Sequence, residues 1–173
     1  MKTVIKRFKI RSLWHFTDKS NIKSIKASEG LLSLRELEQQ DISILMPGGN
    51  DWRHDADRGK GLDEYVHLAF FNDHPMLFKA RNEGRIPNPI WIKIDPSIML
   101  EDGVRFSSDV SNKSGVEILD ADEALEQIDF EVLFTRMDWN NKKINRRRQA
   151  AYKSEILVPK FVPISQFLGY ENG

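Results

Sequence analysis

Few residues in this sequence have both the chemistry and the setting for catalysis. Glu155 stands directly before the apolar run Ile156, Leu157 and Val158. That order places a carboxylate at the mouth of a buried strand, where desolvation raises its pKa and makes it a useful base. The competing reading is a solvent-facing charge at a strand start. His15 lies at the end of the aromatic-rich segment Ser12 to Thr17, either as a ligand-binding imidazole or as a histidine that hydrogen-bonds the backbone. Lys142, Lys143, Arg146, Arg147 and Arg148, flanked by Trp139 and Tyr152, run up to Glu155. Such a run is usually a solvated surface, yet basic charge interleaved with aromatic faces also suits single-stranded nucleic acid. His15, His54, His67 and His74 with Asp51, Asp55 and Asp57 are metal-ligand types, but no HExxH or EF-hand spacing joins them. GGNDWR and RGKG lack the lysine and glycine placement of a Walker or Rossmann phosphate loop.

The elements that must position these residues are short and mixed. Ser12 to Thr17 reads as a strand ending where Asp18 and Ser20 offer cap oxygens. A helix with Ile22, Ile25 and Lys26 on one face should follow and stop at Gly30, and Leu34 to Gln40 fits another short helix. Pro47 to Glu64 is too rich in Gly, Asp and charge for a regular core element and reads as a functional loop. Tyr65 to Phe71 reads as a buried strand, Asp73 and Pro75 as the start of a helix that Gly84 stops, and Ile90 to Ile94 as a strand by alternation. Asp120 and Glu123 form a capping box for a helix carrying Leu125 and Ile128, and Val132 to Phe134 extends the apolar content. Glu155 to Val158 reads as a last buried strand. Without regular βαβ alternation the class is α+β.

Composition bounds the reading. With 173 residues the chain is expected to form one domain, residues 1–173. Lys plus Arg and Asp plus Glu each number 26, which excludes a uniformly basic mode of nucleic-acid binding and leaves a local patch open. With no cysteine there is no disulfide scaffold, Cys-based zinc site or thiol nucleophile, which fits a reducing cytoplasm. No stretch approaches 18 apolar residues and the first ten lack a signal-peptide core, so neither a membrane span nor an export signal is expected.

In order and spacing, six segments resemble the DarT family of DNA ADP-ribosyltransferase toxins. They are HFT at 15–17, EGLLS at 29–33, NDWRHD at 50–55, FFNDHPMLFKAR at 70–81, WIKIDPSIM at 91–99 and RRQAAYKSEILVPKFVP at 147–163. The resemblance implies an ADP-ribosyltransferase fold, with two small splayed β-sheets and flanking helices around an NAD cleft. It implies transfer of ADP-ribose from NAD to a base, thymidine or guanosine, in single-stranded DNA, with release of nicotinamide and no metal. His15 and Thr17 would hold the nicotinamide-side ribose and amide, and Arg53 would lie close to both NAD and the target base. Phe70 and Phe71 would line the cleft. Glu155 would be the catalytic glutamate, and Asn140 to Lys153, with Trp139 ahead of it, the substrate-recognising loop. The resemblance also implies a macrodomain antitoxin partner. His67 and Leu68 depart from the small or polar residues expected on their strand. Rival readings are the same fold acting on RNA or protein, a non-catalytic nucleic-acid-binding module, and a metal-dependent nuclease using His15, His54 and Asp55.

Overall fold

The computed structural model describes residues 1–42 and 57–173. Its centre is a sheet of six antiparallel-paired strands in the order β5-β6-β3-β1-β4-β8, where β1 is Leu13–Asp18, β3 Tyr65–Ala69, β4 Pro89–Ile94, β5 Arg105–Ser107, β6 Glu155–Pro159 and β8 Phe167–Asn172. A two-stranded sheet pairs β2 (Gly30–Leu32) with β7 (Phe161–Pro163). Helices flank both: α1 (Lys2–Phe8), α2 (Ile22–Ala27), α3 (Leu34–Gln39), α4 (Pro75–Asn82), α5 (Ala121–Gln127), α6 (Phe130–Phe134) and α7 (Lys142–Ala151). Interleaved strands and helices without parallel crossovers make this an α+β architecture.

Period-two side-chain alternation gives the large sheet two buried faces. On one lie Leu13, Val66, Leu68, Ile92, Ile94, Phe106, Ile156 and Val158, covered by Val4 of α1 and by Phe130, Val132 and Leu133 of α6. Each fully buried Leu, Ile or Phe in this layer contributes about 1.5 to 3 kcal/mol. On the other face Trp14 and Trp91 pack with Leu77 and Ala80 of α4, Ile86 and Phe16.

Caps set most helix starts. The Asp120 carboxylate accepts from the Asp122 and Glu123 amides while Glu123 accepts from the Asp120 amide, the expected capping box. His74, rather than Asp73, caps α4, its Nδ1 accepting from the Met76 amide at 3.4 Å. Gly30 does not stop α2. That helix ends at Ala27, Glu29 takes the left-handed turn at φ 58°, and Gly30 opens β2. A Cβ on Gly30 would lie 2.2 Å from the Val162 carbonyl oxygen and 2.6 Å from the Phe161 ring, so glycine lets β2 close on β7. The largest departure is the expected loop of 140–153, most of which is helix α7. Asn141 accepts from the Lys143 and Ile144 amides to start it, and its straight-chain Lys and Arg residues favour helix without an apolar stripe.

Candidate active site

The cleft arises from a failure of pairing. β1 pairs with β4 over six residue pairs, Leu13↔Ile94 to Asp18↔Pro89, and β3 with β6 over five, Tyr65↔Pro159 to Ala69↔Glu155. Between β1 and β3 the register holds one pair, Trp14↔Ala69. The large sheet is therefore two three-stranded halves joined at one point. Where the strands part, the His15 imidazole bridges them, with Nδ1 3.0 Å from the His67 carbonyl oxygen. A cavity of about 230 Å³ opens there, lined among others by Trp14, Phe16, Thr17, Asn21, His67 and Glu155. Burial lowers the His15 pKa to about 4, the His67 charge adding to this and its carbonyl opposing it. The ring is neutral at physiological pH, so Nδ1 is the N–H that donates to the carbonyl and Nε2 is left as an acceptor. The Thr17 hydroxyl accepts from Asn21 Nδ2 at 3.0 Å.

Glu155 opens β6 between two small ladder neighbours, Ala69 and Ser107, and is 3% exposed. The room they leave is used by Ser111. Oε2 of Glu155 accepts from the Ser111 hydroxyl at 2.6 Å, from the Ser111 amide at 3.0 Å and from His67 Nδ1 at 3.4 Å. Burial pushes the carboxyl pKa up, but the His67 hydrogen bond and charge, the His74 charge and the Ser111 hydroxyl outweigh it and hold it at about 2. The expectation of a raised pKa is thus reversed: Glu155 is a buried anion. His67 moves the opposite way, because contact with Glu155 and the Asp57 charge more than offset its own burial. Buried His74 lines the same cavity, its pKa lowered chiefly by burial.

The other expected site residues divide. Phe70 does not line the cavity; it is 3% exposed and packs edge-on against Phe130 and Phe134. Phe71 also stays outside, stacked on Tyr152 with ring centres 4.8 Å apart. Period-two alternation in Tyr65 to Phe71 predicts one face for Phe71, but β3 ends at Ala69 and both rings turn toward α6 and α7. Arg147 lies across Asp129, with Nε and Nη2 at 2.7 and 3.1 Å from its oxygens. Arg148 is sandwiched between Trp139 and Tyr152, 4.7 and 4.6 Å from the ring centres, and donates to the Tyr152 hydroxyl. Arg146 and Trp139 are exposed on this side. Arg53, His54 and Asp55 lie outside the described residues. Among the described residues no three His, Asp or Glu side chains converge to hold a metal ion.

A split sheet with a buried carboxylate at the split can be compared with known proteins. The model of the DarT family, described as ssDNA thymidine ADP-ribosyltransferase, matches residues 14–169. The chain belongs to the DarT family. Among solved structures it is similar to Thermus sp. 2.9 DarT in complex with ADP-ribosylated ssDNA, at TM-score 0.68 and 16% identity, over 92% of this chain and 79% of that one. It is also similar to the same Thermus protein in complex with NAD+, at TM-score 0.60, 19% identity, and 92% and 80% coverage. A third is Thermosipho africanus DarTG in complex with ADP-ribose, at TM-score 0.70 and 21% identity, over 92% of this chain and 43% of that longer one. No curated protein matches the sequence. At these identities the likeness establishes the fold, so the split sheet is the ADP-ribosyltransferase fold.

Three residues of this cleft are not among the expected site residues, although His67 and His74 are metal-ligand types. His67 sits in YVHLA, where an imidazole among apolar residues reads as core. Ser111 lies 44 residues from its partner Glu155, in a polar stretch without a motif. His74 reads as part of a turn before Pro75.

Proposed function

We propose that this chain transfers ADP-ribose from NAD to thymidine in single-stranded DNA, with Glu155 as the catalytic carboxylate. One observation carries the assignment of the residue: a buried anion at the split of the sheet, with three hydrogen bonds from the described residues gathered on one oxygen. The cavity fits the reacting end of the dinucleotide. At about 230 Å³ it is smaller than the roughly 300 to 1,000 Å³ of pockets that enclose a drug-sized ligand. It therefore takes only part of the dinucleotide, and with Glu155 in its lining that part is nicotinamide and its ribose.

NAD supplies an ADP-ribosyl group activated by a nicotinamide leaving group. Around it, His15 offers Nε2 as an acceptor to the ribose hydroxyls or the amide, and Thr17, fixed by Asn21, offers its hydroxyl proton. Oε1 of Glu155 accepts from a ribose hydroxyl and opposes the positive charge that grows at the anomeric carbon as the glycosidic bond lengthens. A carboxyl held at about 2 is a weak proton acceptor, so its main contribution is electrostatic. Arg53 stabilises negative charge on the base as its ring nitrogen bonds to the anomeric carbon and gives up its proton to water, a task that a bidentate guanidinium performs and a lysine does not.

The strand is received on the side of α7. Trp139, exposed with Arg148 over its ring, would stack on a base, and exposed Arg146 would meet a phosphate. Residues 1–173 act as one domain in the cytoplasm, where NAD and single-stranded DNA meet. Among the described residues no helix is long and apolar enough to cross a membrane. The partner is a macrodomain antitoxin that removes the modification, a reading supported by the family and by the similarity to a DarTG chain. The test is incubation with labelled NAD and separate pools of single-stranded DNA, duplex DNA, RNA and protein, followed by mass analysis. Label on thymidine of single strands is expected, because extruding a base from a duplex costs a few kcal/mol. Label on RNA or protein alone overturns the substrate.

A further inference from the structure

We infer that Ser111 and His67 are positioning residues of the transfer reaction, holding Oε2 of Glu155 so that Oε1 alone meets the ribose. The inference rests on Glu155 being the catalytic carboxylate. Ser111 uses both of its donors, hydroxyl and amide, on one oxygen, at 2.6 and 3.0 Å. His67 Nδ1 reaches the same oxygen at 3.4 Å and stands 3.4 Å from the Ser111 hydroxyl. A carboxylate can rotate about its last bond, and three donors on one oxygen remove that freedom. The hydroxyl bond is charge-assisted and short, the strong kind.

The loop that supplies Ser111 is itself tied down. Lys60 Nζ donates to the carbonyl oxygens of Ser111 and Lys113, at 3.0 and 2.5 Å. The Ser107 hydroxyl donates to the Asp109 carbonyl at 2.7 Å, and Lys113 pairs with Asp109. Ser111, 1% exposed, cannot swing away without breaking these ties. Its placement accounts for His67 as well: an imidazole on that strand is the second hand on Oε2.

Among the described residues, the groups facing Glu155 are His67 from β3, His74 from before α4 and Ser111 from the loop. The experiment compares Ser111→Ala, Ser111→Thr, His67→Phe and Glu155→Gln, using NAD and a thymidine-containing single-stranded oligonucleotide. Ser111→Ala is expected to lower kcat about tenfold or more while the KM for NAD changes less than about twofold. Because the hydroxyl helps hold the carboxyl pKa down, the acid limb of kcat moves to higher pH in Ser111→Ala and in His67→Phe. Ser111→Thr, which keeps the hydroxyl, restores most of the rate. Wild-type kcat and an unmoved acid limb in Ser111→Ala, or equal loss in the Ala and Thr variants, overturns the inference while an inactive Glu155→Gln leaves the catalytic assignment standing. An active Glu155→Gln overturns that assignment instead. Should Ser111→Ala fail to fold, an acid limb unchanged in His67→Phe is the overturning result.

Discussion

Eight residues lie between Arg146 and Glu155, and charge is held in opposite ways at the two ends of that interval. Glu155 is 3% exposed, bound at one oxygen by fixed donors, and shifted far from its ordinary pKa. Arg146 is exposed on α7. A charge that must act on a transition state is fixed in place where water cannot screen it. A charge that must receive many strand sequences is left in solvent, where it costs little to keep and is easily screened. Between these extremes, Arg147 is committed to Asp129 and Arg148 to two aromatic rings.

The comparison is sharpest at Glu155. Glu155→Gln keeps the shape and removes the charge, and is expected to lower kcat by about a hundredfold or more with the protein folded and NAD affinity nearly unchanged. Single-turnover kinetics beside a direct NAD titration measure the two separately. Full activity in this variant ends the assignment.

His15 should behave differently, because it is neutral and, in the proposed reaction, would meet NAD already in the ground state. His15→Ala is expected to raise the KM for NAD about tenfold, as loss of a hydrogen bond does, and to change kcat much less. A kcat loss as large as that of Glu155→Gln would place His15 among the groups acting on developing charge.

Much of this cleft was legible in the sequence, for reasons that also explain the omissions. Glu155 stood out as a charge abutting the apolar run Ile156, Leu157 and Val158, a pattern common enough that a solvent-facing charge stayed open beside it, and Asp120 with Glu123 announced a helix because capping is local chemistry. His67, Ser111 and Lys60 act through pairings that sequence does not order: each reaches a partner 44 or more residues away. Helix α7 was hidden for another reason. With lysine and arginine in most of its turns it has no apolar stripe, and Asn141 together with the packing of Ala151 and Ile144 decides its conformation. The edge strand β8 alternates in exposure only over its first four residues, is exposed from Tyr170 to Asn172 and carries little strand signal.

The arginines of α7 test the solvent-held end of the comparison. Arg146→Ala is expected to weaken strand binding a few-fold and to reduce the slope of log affinity against log salt by about 0.7, the value for one phosphate on a single strand. Arg147→Ala should change that slope little, since its guanidinium already faces Asp129, and Arg148→Ala should act through the Trp139 and Tyr152 rings it holds apart. Equal slopes for all three would mean that the ion pair and the stack give way to DNA.

A last expectation concerns stability against pH, where the buried groups of the cleft titrate in separate windows. His15 titrates near 4 when folded against 6.5 when unfolded, so between those values the unfolded chain binds the extra proton and stability falls as pH falls. Glu155 titrates near 2 against 4.5. It too stabilises the fold at neutral pH, but its contribution is lost only between 4.5 and 2. His67 has the opposite sign: its folded pKa is raised, so its contribution is full below 6.5 and is lost as pH rises through the folded value. Melting temperature measured from pH 7.5 to 4 should therefore decline less in His15→Asn, which keeps a donor for the His67 carbonyl without a titrating ring. The difference between the two proteins should open below 6.5 and stop growing near 4. A constant offset across the whole range would mean that His15 is lost as a packing group and that its proton plays no part.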